Sequence, residues 1–342
     1  MEQLAVVRLN LARKEVYEVW KAFLVNHGMQ SDEIVTDTLG IYDGEKLVAT
    51  GSYHKNIIKC VAVDKGYRGQ CLLNKIVNEI IAELSQKNIY HYFVYTKPDV
   101  IGKFIDFGFK KVVCTDHLCL LERGVYGIEY YKHKLKMRYQ EGHVIGSIVM
   151  NANPFTKGHL HLVKYAASLC DFVHIFVVEE EESVFPFSIR YELVKQGIAS
   201  FNNVKLHSTG NYIVSNTTFP SYFINKKADI TTEHARLDAS IFEHYIASAL
   251  GIKYRFVGEE PFSPTTKIYN RVLKEVLYPT VQLVEIPRLT ARNDDIISAT
   301  KVRALIEAND LESLENYVPR TTLKYLEAYK KQKMEVNQFG NN

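Results

Sequence analysis

No run of apolar residues in this 342-residue sequence approaches the ~20 needed to cross a bilayer as a helix, so no membrane span is expected. The amino end, Met1 to Arg8, lacks a basic stretch leading into a long apolar one, and no secretory leader is expected. Charge of one sign is also missing. Lys and Arg number 42 against 39 Asp and Glu, a net +3 that is too mild for a nucleic-acid footprint. The cysteines are few: Cys60, Cys71, Cys114, Cys119 and Cys170 form no CxxC pair and no Cys/His ligand set. A structural zinc is therefore not expected, and reduced, buried thiols of a cytoplasmic protein are. There is no internal repeat. What remains is an ordinary globular composition, 46% apolar and 24% charged, on a chain longer than most single cores. Two domains are expected.

The two halves are patterned differently. The first ~120 residues read as strands (41–42 with 46–51, 57–63, 90–95, 108–113) around a helix over 72–85, whose Leu72, Leu73, Ile76, Ile80, Ile81 and Leu84 share a face, and a short helix near 101–107. Residues 124–143 are polar and basic and read as a connector. From Val144 onward, apolar runs at 144–150, 172–178, 204–207, 254–258 and 281–286 alternate with helical patterns. Strands buried on both faces and joined by helical crossovers predict a doubly wound parallel sheet over 144–330, with a polar tail at 331–342. Ligands of such sheets bind beyond the carboxyl ends of the strands.

At one such end stands Asn151-Ala152-Asn153-Pro154-Phe155-Thr156-Lys157-Gly158-His159, where a strand feeds a loop and then a helix. Helix N-termini attract anions, a glycine admits close approach of a ligand, and an imidazole donates to a phosphate oxygen. A second helix-start candidate, Ile297-Ser298-Ala299-Thr300-Lys301-Val302-Arg303, lies far downstream. Together they suggest a nucleoside triphosphate held between two loops. Gly258-Glu259-Glu260-Pro261, at another strand end, reads as an ordinary turn or, by its likeness to the nucleotidyltransferase superfamily, as a candidate nucleotide loop. His161 reads as a solvated bystander, Arg190 as a phosphate contact or a surface ion pair, and Glu179 to Glu182 as a solvated loop in preference to a Mg²⁺-recruiting one.

The stretch over 151–159 resembles the HxGH signature of the nucleotidyltransferase superfamily, with Thr156 at the first His position, and 297–303 resembles its second signature. That resemblance implies Thr156 and His159 as catalytic contacts to phosphate oxygens. It implies Asn153, Pro154, Phe155, Gly158, Gly258, Glu259, Ser298, Thr300 and Arg303 as the nucleotide-binding set. In the first half, Val63 to Leu73 resembles the acetyl-CoA loop of GNAT acetyltransferases, and Phe104 to Lys110 their terminal aromatic-x-x-Gly-Phe. Gly66 stands where Arg or Gln is usual, and Cys71 where Gly or Ala is usual. A GNAT-like α+β domain (1–123) fused to a Rossmann-like nucleotidyltransferase domain resembles the citrate lyase ligase family. The segments 185–195, 215–223 and 318–323 strengthen the likeness. The resemblance implies ATP with Mg²⁺, acetate, and the prosthetic-group thiol of the citrate lyase acyl carrier subunit as reactants, through acetyl-adenylate. AMP and pyrophosphate would be released. Tyr67, Arg68, Gly69, Gln70 and Cys71 would hold the dephospho-CoA-like arm. Two rivals stay open: an adenylyltransferase acting on a pantetheine phosphate or nicotinamide mononucleotide, and a non-catalytic nucleotide-binding scaffold. The acetate pocket and the thiol's base both stay open, with Tyr222, Arg292 and Asp238 conceivable.

Overall fold

A computed structural model describes residues 4–30, 34–181, 183–213, 219, 222, 227–260, 263–291 and 295–339. The chain divides into two compact units, 1–131 with 218–241, and 132–217 with 242–342. Residues 218–241, which the sequence pattern groups with the second half, thus belong to the first unit. The expected connector carries a helix.

In the first unit a seven-stranded sheet runs in the order β1-β2-β3-β4-β5-β7-β6. The strands are β1 (Val6–Arg8), β2 (Asp37–Asp43), β3 (Lys46–His54), β4 (Ile57–Val63), β5 (Tyr92–Thr96), β6 (Lys110–Cys114) and β7 (Cys119–Arg123). Helices α1 (Lys14–Asn26), α2 (Leu72–Gln86) and α3 (Ile101–Ile105) belong to the same unit, and α4 (Ile128–Lys136), within the expected connector, runs across the division after Tyr131. Ile76, Ile80 and Leu84 of α2 are fully buried against Ile41, Val48 and Val94, as its apolar stripe demands. Gly51 of β3 is where α2 comes closest: a Cβ there would sit 2.4 Å from Ile76. All neighbours are antiparallel except β4 and β5, which pair only at Ile57–Phe93 and Ile58–Val94. Beyond those residues the two strands part. This is the GNAT-like α+β architecture the sequence implies.

Two expectations for the cysteines are corrected. Cys114 and Cys119 are joined as a disulfide across the β6–β7 hairpin, and Cys71 is exposed; only Cys60 and Cys170 are buried free thiols. A five-residue separation carries no CxxC signal, and only the hairpin brings the two sulfurs together.

In the second unit, β8 (Ile145–Met150), β9 (Phe172–Val177), β10 (Val204–Ser208), β11 (Tyr254–Gly258) and β12 (Gln282–Ile286) form an all-parallel sheet in the order β10-β9-β8-β11-β12. The helices are α5 (Lys157–Leu169), α6 (Phe187–Gly197), α7 (Lys227–Ile241, in the first unit), α8 (Ser248–Leu250), α9 (Pro264–Leu277), α10 (Ala299–Glu307), α11 (Leu311–Leu314) and α12 (Arg320–Phe339). The order reverses between β8 and β11, so the switch point lies at the ends of those strands, where such sheets bind ligands. Among the described residues no helix is long and apolar enough to cross a membrane.

His174 of β9 and His207 of β10 are buried with their rings 3.0 Å apart, Nδ1 to Nε2. Burial first, then neighbouring charge, lowers their pKa values from 6.5 to about 4 for His174 and about 3 for His207. The unfolded chain therefore binds protons that the folded one refuses. Their stabilising contribution is complete above pH 6.5 and falls as pH drops toward 3–4. The double variant His174→Gln, His207→Gln is expected to flatten the fall in melting temperature between pH 6.5 and 4. An unchanged slope would rule the pair out as its source.

Candidate nucleotide and arm-binding sites

The chain leaves β8 through Asn151, Ala152 and Asn153. Ala152 has φ +50°, a conformation L residues rarely adopt, and its side chain is buried. Asn153 Oδ1 accepts the Phe185 amide at 3.1 Å. Thr156 caps α5: its hydroxyl accepts the His159 amide at 3.3 Å, while the Thr156 amide donates to His159 Nδ1 at 3.0 Å. The Thr156 hydroxyl also lies 2.9 Å from that nitrogen. A backbone N–H can only donate, so Nδ1 is bare and Nε2 carries the ring's proton. Burial, with the charge of Arg288, lowers the His159 pKa from 6.5 to about 4. At neutral pH the ring is an uncharged donor. Behind it, fully buried Phe155 stacks on the imidazole, centroids 5.8 Å apart at 16°. A Cβ on Gly197 would lie 2.3 Å from the Phe155 ring, so that glycine lets α6 close on it.

The second signature meets the first here. A Cβ on Gly158 would stand 3.2 Å from the Ile297 carbonyl oxygen, so the glycine lets the two loops touch. Arg303 Nη1 donates to the Asn153 carbonyl at 2.7 Å, and Nη2 to Thr300 Oγ1 at 3.0 Å. Ser298 caps α10 by accepting the Lys301 amide at 3.1 Å. Both helix starts open on one cavity of about 540 Å³ at the switch point of the sheet.

Of the residues expected there, Asn153, Thr156, Gly158 and His159 line the cavity from one side, and Gly258, Ser298, Thr300 and Arg303 from others. Pro154, Phe155 and Glu259 do not. Phe155 belongs to the core behind His159, Pro154 is buried, and Glu259 is exposed with its carbonyl taken by Arg288 Nε at 2.7 Å. His161 lines the cavity too, contrary to its reading as a bystander. Arg190 is neither a phosphate contact nor a surface ion pair: it is fully buried and donates to the carbonyls of Phe185, Asn151, Val178 and Glu180. The sequence reading missed Arg255, Glu260 as a side chain, Asn270 and Arg288, all of which line the cavity. Arg288 follows the end of β12, where the strand-end rule would have found it. Arg255, inside β11, gave no such signal. Pro261, Arg292, Glu182 and most of 215–223 lie outside the described residues.

The first unit has its own cavity, of about 620 Å³, where β4 and β5 part. Tyr67, Arg68, Gly69 and Cys71 line it, with Leu72 to Asn74 at the start of α2; Gln70 does not. Cys71 takes the N-cap position at φ +59° and offers no side-chain cap, so the first amides of α2 stay open to an anion. The left-handed backbone explains why small residues are usual at that position in the motif. The loop is braced by the Asp64 carboxylate, which accepts the Gly66 amide at 2.9 Å and pairs with Lys46 at 2.8 Å. Tyr67 donates to Asp43 at 2.6 Å. Lys97 and Lys103 add positive charge, and Tyr222 closes one wall; Asp238 is fully buried.

The family described as "Citrate lyase ligase C-terminal domain" matches residues 145–326. The [Citrate [pro-3S]-lyase] ligase of Escherichia coli K12 is 37% identical over 312 residues, covering 89% of this chain and 88% of that protein. The protein of the same name from Haemophilus influenzae is 37% identical over 315 residues, 90% of this chain and 94% of that one. The solved structure of Thermotoga maritima TmcAL bound with alpha-thio ATP is 13% identical over 56% of each chain, with a TM-score of 0.37. A GNAT-like unit and a doubly wound unit that brings two helix-start signatures together define a two-domain enzyme of nucleotidyltransferase type. The chain belongs to the citrate lyase ligase family.

Proposed function

We propose that the chain catalyses ATP-dependent acetylation of the thiol on the phosphoribosyl-dephospho-CoA group of the citrate lyase acyl carrier subunit, in the cytoplasm. The observation that carries this reading is the meeting of Asn153 to His159 with Ile297 to Arg303 around one cavity. An acetate oxygen bonds to the α-phosphorus of ATP as the bond from that phosphorus to the bridging oxygen breaks, and pyrophosphate departs with the electron pair. The carrier thiol then gives up its proton to a base or to solvent, its sulfur bonds to the acetyl carbon as the bond from that carbon to the phosphate oxygen breaks, and AMP leaves with the electron pair.

In-line displacement asks the protein for position and charge compensation, not for a covalent nucleophile. His159 supplies a neutral Nε2–H to a phosphate oxygen, held in that tautomer by Thr156. The amide of Gly158 in α5 and those of Ala299 and Thr300 in α10, with Ser298, Thr300 and Arg303, take the charge that builds on the leaving pyrophosphate. Mg²⁺ would enter as a companion of the triphosphate and not on a protein cage, because Glu260, the one carboxylate lining the cavity among the described residues, is bonded to Arg288. In the first unit, the loop from Tyr67 to Cys71 and the start of α2 receive the pyrophosphate of the prosthetic arm.

Isotope exchange between pyrophosphate and ATP, run with the full-length protein, tests the first step. It should depend on acetate. Dependence on a phosphorylated acceptor would favour a plain adenylyltransferase, and absence of both exchange and AMP release with reduced carrier would favour a scaffold. For the arm, Arg68→Ala is expected to raise the KM for reduced carrier protein about tenfold while leaving acetate-dependent exchange intact. This corresponds to losing one charge-assisted contact. An unchanged KM would remove Arg68 from the arm site.

A further inference from the structure

The acetate carboxylate has to approach an α-phosphate that is itself negative, so the cavity needs a cation on the acceptor side that the triphosphate does not consume. Three arginines line it. Arg303 already donates through both Nη1 and Nη2 to Asn153 and Thr300, on the phosphate side. Arg255 is 2% exposed, with its guanidinium 4.5 Å over the Phe242 ring. Arg288 stands at the end of β12, beside the end of β11, where Gly258 pairs with Ile286. Its Nε donates to the Glu259 carbonyl at 2.7 Å and its Nη2 is bonded to the Glu260 carboxylate. Those two contacts fix the plane of the fork. Nη1 has no partner among the described residues, and the side chain is about a quarter exposed, at 27%.

From this geometry we propose that Arg288, held by Glu259 and Glu260, is the residue that binds the acetate carboxylate and aims it at the α-phosphorus. The assignment rests on the ligase reading above. A guanidinium suits the task because its planar fork matches a carboxylate and holds it in one orientation. The Glu260 carboxylate occupies one side of that fork, and acetate takes the Nη1 edge. Arg288 and His159 line the same cavity, so the acceptor contact and the phosphate contact open on one space.

The test uses the full-length protein in acetate-dependent pyrophosphate–ATP exchange, with binding of a non-hydrolysable ATP analogue measured separately. Arg288→Ala should raise the KM for acetate at least about tenfold and change analogue affinity by less than about threefold. Arg288→Lys keeps the charge but not the fork, so its acetate KM should fall between the two; this variant carries the test if the alanine form does not fold. Wild-type acetate KM in the folded variants would overturn the proposal. So would a loss of analogue binding at unchanged acetate KM, which would make Arg288 a phosphate ligand. Absence of acetate-dependent exchange in the unmutated protein would instead sink the ligase reading itself.

Discussion

His159→Ala is expected to lower turnover at least about a hundredfold, the usual cost of losing one preorganised donor at a site of developing charge. Binding of the ATP analogue should change far less, because the helix starts, Ser298, Thr300 and Arg303 remain. The effect should also be nearly independent of pH across the neutral range. With a pKa of about 4, the ring is already neutral at pH 6 and stays so at pH 8. A rate that tracks an ionisation near 6.5 and disappears with the imidazole would mean that His159 works as a charged group. Wild-type turnover in the alanine variant would remove it from the chemistry. His159→Asn provides a useful contrast, since its amide keeps a donor without the ring that stacks on Phe155.

The second large effect concerns Arg190. Its guanidinium bonds to four carbonyl groups, those of Asn151 at the end of β8, Val178 and Glu180 after β9, and Phe185 before α6. Arg190→Ala leaves those acceptors without their donor, and a loss on the order of 3–5 kcal/mol is expected, as when a buried charged partner is removed. Chemical denaturation should show the transition of the second unit moving to lower denaturant. Arg190→Lys should recover little, since one ammonium cannot reach all four carbonyls. Were Arg190 a phosphate ligand instead, the alanine variant would keep its stability and lose ATP. The loop that Arg190 holds leads directly to Asn153 and Thr156, so a softened variant should also bind nucleotide more weakly in proportion to its instability.

The contrast between these two residues shows what was legible. The place of His159 at a helix start was readable because its neighbours carry a directional signal: an apolar strand, a loop with Gly158, and the start of an amphipathic helix. Arg190 lies at an equally plausible helix start, and nothing local distinguishes a guanidinium facing solvent from one turned inward onto four carbonyls. Phe155 was misread for a related reason. Its place in the motif suggested a ligand contact, whereas it packs behind the imidazole against Gly197. The disulfide between Cys114 and Cys119 was invisible because its spacing resembles no redox or metal motif. The allotment of 218–241 to the first unit was equally hidden. A helical pattern records which face is apolar but not which sheet will cover it.

The sequence by itself determined the local elements, the parallel character of the second sheet, the two helix-start signatures and the GNAT-like loop, because periodicity, capping and backbone permissiveness act over a few residues. Only the tertiary structure decided that Gly158 would meet Ile297, that Arg303 would reach Asn153, and that Arg288 would face the same cavity. Those contacts join residues more than a hundred positions apart, and their geometry is set by the order in which five parallel strands are laid side by side.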